Sequence, residues 1–220
     1  MDNLTKEEIE SIQWYKGEGY DSINKSLRRL SGSVDSNILE KLIEDVDIED
    51  FNHIKNIDNV LKRSPYYKGK LYRGLNYVDY NETFINYSYS SSTYDIRVAQ
   101  EFSGDKCCLL SFNLTEKDKI HYIDMNQFYK KYFNKEDDEM EILLDRDLIF
   151  QNVRLIGLLE YQTEKEYSEK NIYSCIVQNM QKLNIDSLIQ QKQLEKEIVK
   201  TLKVTKKKKK EEVYVNPLFF

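Results

Sequence analysis

Two carboxylates spaced by one residue, Glu139 and Glu141, open the apolar run Ile142-Leu143-Leu144 and are the side chains best placed for chemistry. In a strand, residues two apart share a face with Cα atoms roughly 6.5–7 Å apart. One carboxylate of such a pair can steady a developing positive charge while the other handles a proton. The residues just ahead, Glu136, Asp137 and Asp138, allow two plainer readings, a solvated acidic loop or a hard-cation site. The spaced ligands and Gly of a calcium loop are missing, and no metal is expected.

Arg73 stands in Leu71-Tyr72-Arg73-Gly74-Leu75. A guanidinium among apolar and aromatic neighbours needs an anionic partner. Its planar fork suits a phosphate or carboxylate, and Gly74 beside it would let a ligand approach the backbone. An edge-strand Arg paired with a protein carboxylate fits the same pattern. The third group is Ser90-Ser91-Ser92-Thr93-Tyr94-Asp95, leading into Ile96-Arg97-Val98-Ala99-Gln100-Glu101-Phe102. Hydroxyls end a strand there, and Thr93 or Asp95 can cap the short helix that follows. A junction chosen only for capping would look the same.

The elements that must position these residues follow from periodicity. Residues 5–63 read as helices, through Ile9, Ile12, Tyr15, Ile23, Leu27 and Leu30, then Ile38, Leu39, Leu42, Ile43 and Val46, then Phe51, Ile54, Ile57, Val60 and Leu61. Gly17 and Gly19 mark a joint in the first run. Short β-prone stretches follow at 70–75, 84–92, 106–114, 120–123, 140–144 and 148–161, with a short helix over 95–103 and a polar loop over 126–138. Helices first and strands afterwards predict an α+β fold with a mixed sheet. Residues 165–204 read as helical again, with Ile172, Ile176, Met180, Leu183, Ile198 and Leu202 as a stripe. The expected division is a catalytic domain over 1–163 (helical lead-in 5–63, sheet core 68–163), a helical extension over 164–204 and a Lys-rich flexible tail over 205–220.

Composition removes several classes. The 33 basic and 38 acidic residues give a net charge of −5 and are interspersed, which does not advertise nucleic-acid binding. The one basic block, Lys206–Lys210, is followed at once by Glu211 and Glu212 and reads as a solvated tail. Cys107, Cys108 and Cys175 form neither a disulfide framework nor a zinc spacing. Met1–Glu10 is acidic and lacks the apolar stretch of a secretory signal, and no apolar run has membrane-spanning length. The chain reads as cytoplasmic, or as delivered into a host cytosol by a route that a signal peptide does not encode. His53 and His121 have no Ser or Cys arrangement of a hydrolase triad.

Taken in order, Arg73 on a first strand, Ser91-Ser92-Thr93 ahead of Val98-Ala99-x-x-Phe102, and Glu139-x-Glu141 ahead of Ile142-Leu143-Leu144 resemble the Arg-Ser-Glu class of ADP-ribosyltransferases. That family includes clostridial binary-toxin enzyme components, arginine-specific vertebrate ectoenzymes and phage transferases. Its middle motif is usually Ser-Thr-Ser, so Ser92 and Thr93 depart from the commonest form while the first Ser is kept. The run Trp14-Tyr15, Tyr20, Ile23-Asn24, Leu27-Arg28 is similar to the family's helical lead-in, and the resemblance covers residues 5–163.

The resemblance implies a sheet core around an NAD cleft and transfer of ADP-ribose from NAD to a protein side chain, with nicotinamide released. It implies Glu141 as the catalytic carboxylate, Ser91 as its support, Arg73 on the pyrophosphate and Phe102 beside the nicotinamide. A Glu at position 139 goes, in this family, with arginine acceptors, and residues 126–138 fall where a target-recognition loop lies. NAD glycohydrolysis, with water as acceptor, would use the same site. A catalytically silent binding module on this fold is the remaining alternative.

Overall fold

The computed structural model describes residues 3–31, 48–75, 83–103, 108–162 and 167–179. The helix expected from Ile38 to Val46, Cys107, residues 180–204 and the tail over 205–220 lie outside the described residues.

Three helices come first: α1 (Lys6–Trp14), α2 (Tyr20–Ser31) and α3 (Ile48–Arg63). Thr5 opens α1 with a capping box, accepting from the Glu8 amide while the Glu8 carboxylate accepts from the Thr5 amide. Between α1 and α2 the glycine joint is a π-helical turn, Tyr15–Gly19. Ile12, Tyr15, Ile23, Leu27, Ile54, Ile57 and Leu61 bury the inner faces of these helices. Ser22 and Ser26 donate at 2.7 Å to the Asp50 carboxylate and tie α2 to α3.

The strands are β1 (Gly69–Leu75), β2 (Thr83–Asn86), β3 (Ser90–Thr93), β4 (Cys108–Leu114), β5 (Tyr122–Asp124), β6 (Glu141–Leu144), β7 (Leu148–Gln162) and β8 (Tyr167–Asn179). Helix α4 (Ile96–Glu101) follows β3 and α5 (Met125–Phe133) follows β5. Among the described residues they form one eight-stranded sheet, in the order β2-β7-β8-β4-β1-β3-β6-β5. Only β4 and β8 pair in parallel, so the sheet is mixed, as its α+β pattern predicts. One core cluster gathers Leu71, Leu110, Phe112, Ile142, Leu144, Phe150, Tyr173 and Val177. Leu109 and Leu143, at alternate strand positions, are fully buried too.

A polar network locks α3 to the sheet. Arg146, 1% exposed, donates to the Asp58 carboxylate from Nε at 3.1 Å and from Nη2 at 2.8 Å, and it also pairs with Asp147. The Tyr89 hydroxyl donates to Asp58 at 2.8 Å and lies 3.0 Å from the Ile54 carbonyl. A buried guanidinium requires such compensation, and the network holds the chain just ahead of β3.

Four expectations change. The stretch 84–92 is two strands in different parts of the sheet: β2 pairs with β7, whereas β3 lies between β1 and β6. The polar loop over 126–138 begins as helix α5, capped by Asp124, whose carboxylate accepts from the Gln127 amide at 3.0 Å. Residues Tyr167–Asn179, expected as helix, are strand β8. Tyr173 and Val177 are buried in the core while Ile176 is half exposed. A spacing of four is a whole number of strand repeats as well as about one helical turn, so apolar residues there could not discriminate the two. Finally, Glu139 precedes β6 and does not share its pleat with Glu141. Met140 takes a left-handed backbone, φ 47°, which breaks the strand between them.

Candidate active site

Arg73, Ser91 and Glu141 sit on β1, β3 and β6, three neighbouring strands of the sheet. Tyr72 pairs with Thr93 across β1 and β3; Thr93 in turn pairs with Glu141, and Ser91 with Leu143. Ser91 and Glu141 are therefore diagonal neighbours on one face, with a spacing of roughly 7–8 Å. A cleft of ≈ 510 Å3 opens over these strands. Arg73, Ser91, Phe102, Glu139 and Glu141 line it, as do Tyr15, Lys16, Asn24 and Arg28 from the helical lead-in.

Arg73 donates from Nη1 to the Ser91 carbonyl at 2.9 Å. Burial lowers its pKa, while Tyr15 and Glu141 work the other way. Among the described residues no carboxylate forms an ion pair with it, and its hydrogen bond is to a neutral carbonyl. It is thus a desolvated cation facing a cleft, the condition in which an anionic ligand is bound most strongly.

Gly74 lines the cleft, and helix packing gives a further reason for a glycine there. A Cβ there would collide with the Ala99 carbonyl and stand 2.8 Å from the Ser103 amide nitrogen. Its missing side chain admits helix α4 against β1. Lys170 of β8 holds the far end of α4, donating at 2.8 Å to the carbonyls of Gln100 and Ser103. Asp95 caps the near end, accepting from the Arg97 amide at 2.9 Å. So fixed, α4 presents Phe102 at its C-cap, 56% exposed, to the cleft.

Glu141 is 7% exposed, at the first position of β6, and its amide donates to the Asp137 carboxylate at 3.1 Å. The Ser91 side chain stands close to the Tyr15 phenol and favours its ionised form, against the effect of burial. Tyr15 also accepts from Asn24 Nδ2 at 3.0 Å and packs edge-on against Tyr89, with ring centroids 5.5 Å apart. Burial and the Glu141 charge push the Tyr15 phenol up to about 12. Two buried oxygens of the lining residues, Asn24 Oδ1 and Ser92 Oγ, lack a protein hydrogen-bond partner, as a site built for a polar ligand would leave them.

Lys16 was invisible to motif reasoning. Its Nζ lies 2.8 Å from Glu141 Oε2 and 3.2 Å from Asp137 Oδ1, and it also bonds the Glu139 carboxylate. Its position beside the double glycine of the lead-in was the available signal. Burial acts to lower its pKa, but Glu141, Glu139 and Asp137 outweigh that and hold it above the ordinary lysine value. Among the described residues no group of three or more His, Cys, Asp or Glu side chains is arranged to hold a metal. The aromatics of α5 are largely local packing: Phe128 is 1% exposed and touches Tyr129, Tyr132 and Phe133.

The family model described as ADP-ribosyltransferase exoenzyme matches residues 1–192. The chain belongs to that family. It is an ADP-ribosyltransferase of toxin-like type, and NAD is its substrate. Among solved structures it is similar to the enzymatic component C2-I of the C2-toxin from Clostridium botulinum, at 17% identity and a TM-score of 0.53, over 82% of this chain and 44% of that one. It is also similar to the Vis toxin of Vibrio splendidus, at 18% identity, TM-score 0.45, over 83% of this chain and 80% of that one. The ADP-ribosylating toxin BECa of C. perfringens, solved with NADH, gives 22% identity, TM-score 0.49, over 80% and 44%. The match to C2-I shows a shared fold, and this chain spans less than half of the C2-I chain. None of the curated proteins matches the sequence. Among the described residues no helix is long and apolar enough to cross a membrane.

Proposed function

We propose that this transferase is a mono-ADP-ribosyltransferase acting on arginine side chains of a protein. The observation that carries the reading is the convergence of Glu139 and Glu141 on one cation, Lys16, inside the cleft lined by Arg73, Ser91 and Phe102. Two carboxylates that together hold an ammonium are arranged to hold a guanidinium.

In this reading the Arg73 fork takes the NAD pyrophosphate, and Phe102 packs beside the nicotinamide. Cleavage breaks the bond between ribose C1′ and the nicotinamide nitrogen, which leaves with the electron pair. The ribose acquires oxocarbenium character, as in glycoside hydrolysis. Glu141, nearly enclosed, opposes that charge where little water screens it. Ser91, the diagonal neighbour of Glu141 across β3 and β6, helps hold that carboxylate in position. An arginine guanidinium has no lone pair to attack with until a proton leaves. Glu139 orients it and takes that proton as nitrogen bonds to C1′. Glu139, with a side chain 45% exposed, is the member of the pair that an incoming protein side chain can reach.

Mass spectrometry of a cell lysate incubated with the enzyme and NAD tests this. Modified arginines with ADP-ribose in single units are expected. Modification confined to other side chains would remove the arginine assignment, and free ADP-ribose alone would mean that water is the acceptor.

A further inference from the structure

Lys16, like Arg28, is a cleft cation to which the reaction above gives no work. It is tightly held: its side chain is 14% exposed, and three carboxylates surround Nζ. Held as an ammonium, it has no lone pair, so it is neither a nucleophile nor a target of self-modification in this pose. Its donors occupy oxygens of Glu139 and Glu141, the same oxygens an acceptor guanidinium requires. Both cations cannot use them at once.

We propose that Lys16 is a specificity-determining residue of the acceptor subsite: its ammonium stands in for the acceptor cation in the empty cleft, and an acceptor enters by displacing it. The proposal rests on the arginine reading above. It follows that a neutral nucleophile is a poor acceptor, because displacing Lys16 without replacing its charge leaves desolvated carboxylates uncompensated. A guanidinium replaces the charge and adds a planar fork that a point-like ammonium lacks. The departing lysine has somewhere to go. Lys16 belongs to the π-helical turn Tyr15–Gly19, and the neighbouring Gly17 has open space where a side chain would be. Glu139, the outermost of the carboxylates, faces solvent and lets the exchange begin from outside.

The test uses Lys16→Met, which keeps the aliphatic stem and removes the charge, with agmatine as a small guanidine acceptor. Steady-state kinetics should show KM for agmatine falling about three- to tenfold relative to KM for NAD, the size expected when the ion pair to be broken first is the one with the partly exposed Glu139. A KM ratio that stays put, or kcat for transfer and for NAD hydrolysis falling together, would instead make Lys16 a support of Glu141 and overturn the proposal. Should the variant fail to fold, the wild-type protein supplies the same answer. Saturating agmatine should increase labelling of Lys16 by an amine-reactive reagent several-fold, read by mass spectrometry. Unchanged labelling overturns the proposal. Labelling that rises while agmatine is never modified would remove the arginine reading of the reaction and leave the displacement standing.

Discussion

Gly74 and Ala99 meet backbone to backbone: the Cβ that Gly74 lacks would run into the Ala99 carbonyl. Strand β1, which carries Arg73, and helix α4, which carries Phe102 at its end, are therefore spaced by the absence of one methyl group. Gly74→Ala should destabilise the protein by about 1–3 kcal/mol, as overpacking does, and should raise KM for NAD because Phe102 moves with α4. Denaturant unfolding and NAD kinetics check both parts. A stable variant with unaltered KM would mean that α4 yields freely.

Glu141→Ala should abolish transfer and NAD hydrolysis alike, by at least about a hundredfold, while circular dichroism stays as in the wild type. Nicotinamide release is the measurement. Undiminished release would remove Glu141 from the chemistry.

Arg73→Lys should weaken NAD binding about ten- to hundredfold, the value of one hydrogen bond to a charged group. The lysine keeps the charge and loses the fork. Calorimetric titration with NAD decides it; wild-type affinity would make Arg73 a strand residue whose bond to the Ser91 carbonyl is its whole purpose.

Glu139→Gln preserves size and removes the base. Transfer to agmatine should fall by about 10²–10⁴, the usual range for a positioned base, and hydrolysis of NAD by water should fall much less. Parallel loss of both activities would place Glu139 at the ribose.

Stability should fall in alkali. The Tyr15 phenol sits at about 12 in the folded protein, against about 10 in an unfolded chain. Between those values the folded state binds more protons, so stability is fully present below about pH 10 and is lost as pH rises toward 12. Urea midpoints at pH 8 and pH 11 should differ more in the wild type than in Tyr15→Phe. Equal pH dependence in the two proteins would show that Tyr15 is not a source of the loss.

Much of this was legible before any coordinates. The helical lead-in was readable because Ile54, Ile57 and Leu61 recur on a single helix face, and the sheet because a series of β-prone stretches follows the helices. Segments whose pattern suits two periods were misread. Ile172 and Ile176, which open the stripe read as helical, are four apart, a spacing that suits strand and helix equally. In α5 the aromatics Phe128, Tyr129, Tyr132 and Phe133 do recur at helical spacing, but the surrounding Asn, Lys and Asp residues suggested a loop.

Residue order alone specifies the groups: a guanidinium on one strand, a hydroxyl on another and two carboxylates at the start of a third, in the order of a known family. How they meet depends on the packed fold. Glu139 joins Glu141 through the left-handed Met140 and the ammonium of Lys16, which stands 125 positions from Glu141 in the chain. Gly74, beside Arg73, also admits a helix that stands 25 positions on in the chain at Ala99. The reason is physical: strand alternation is a local rule that a residue's neighbours specify, whereas an ion pair between distant positions exists only once folding has brought both charges out of water.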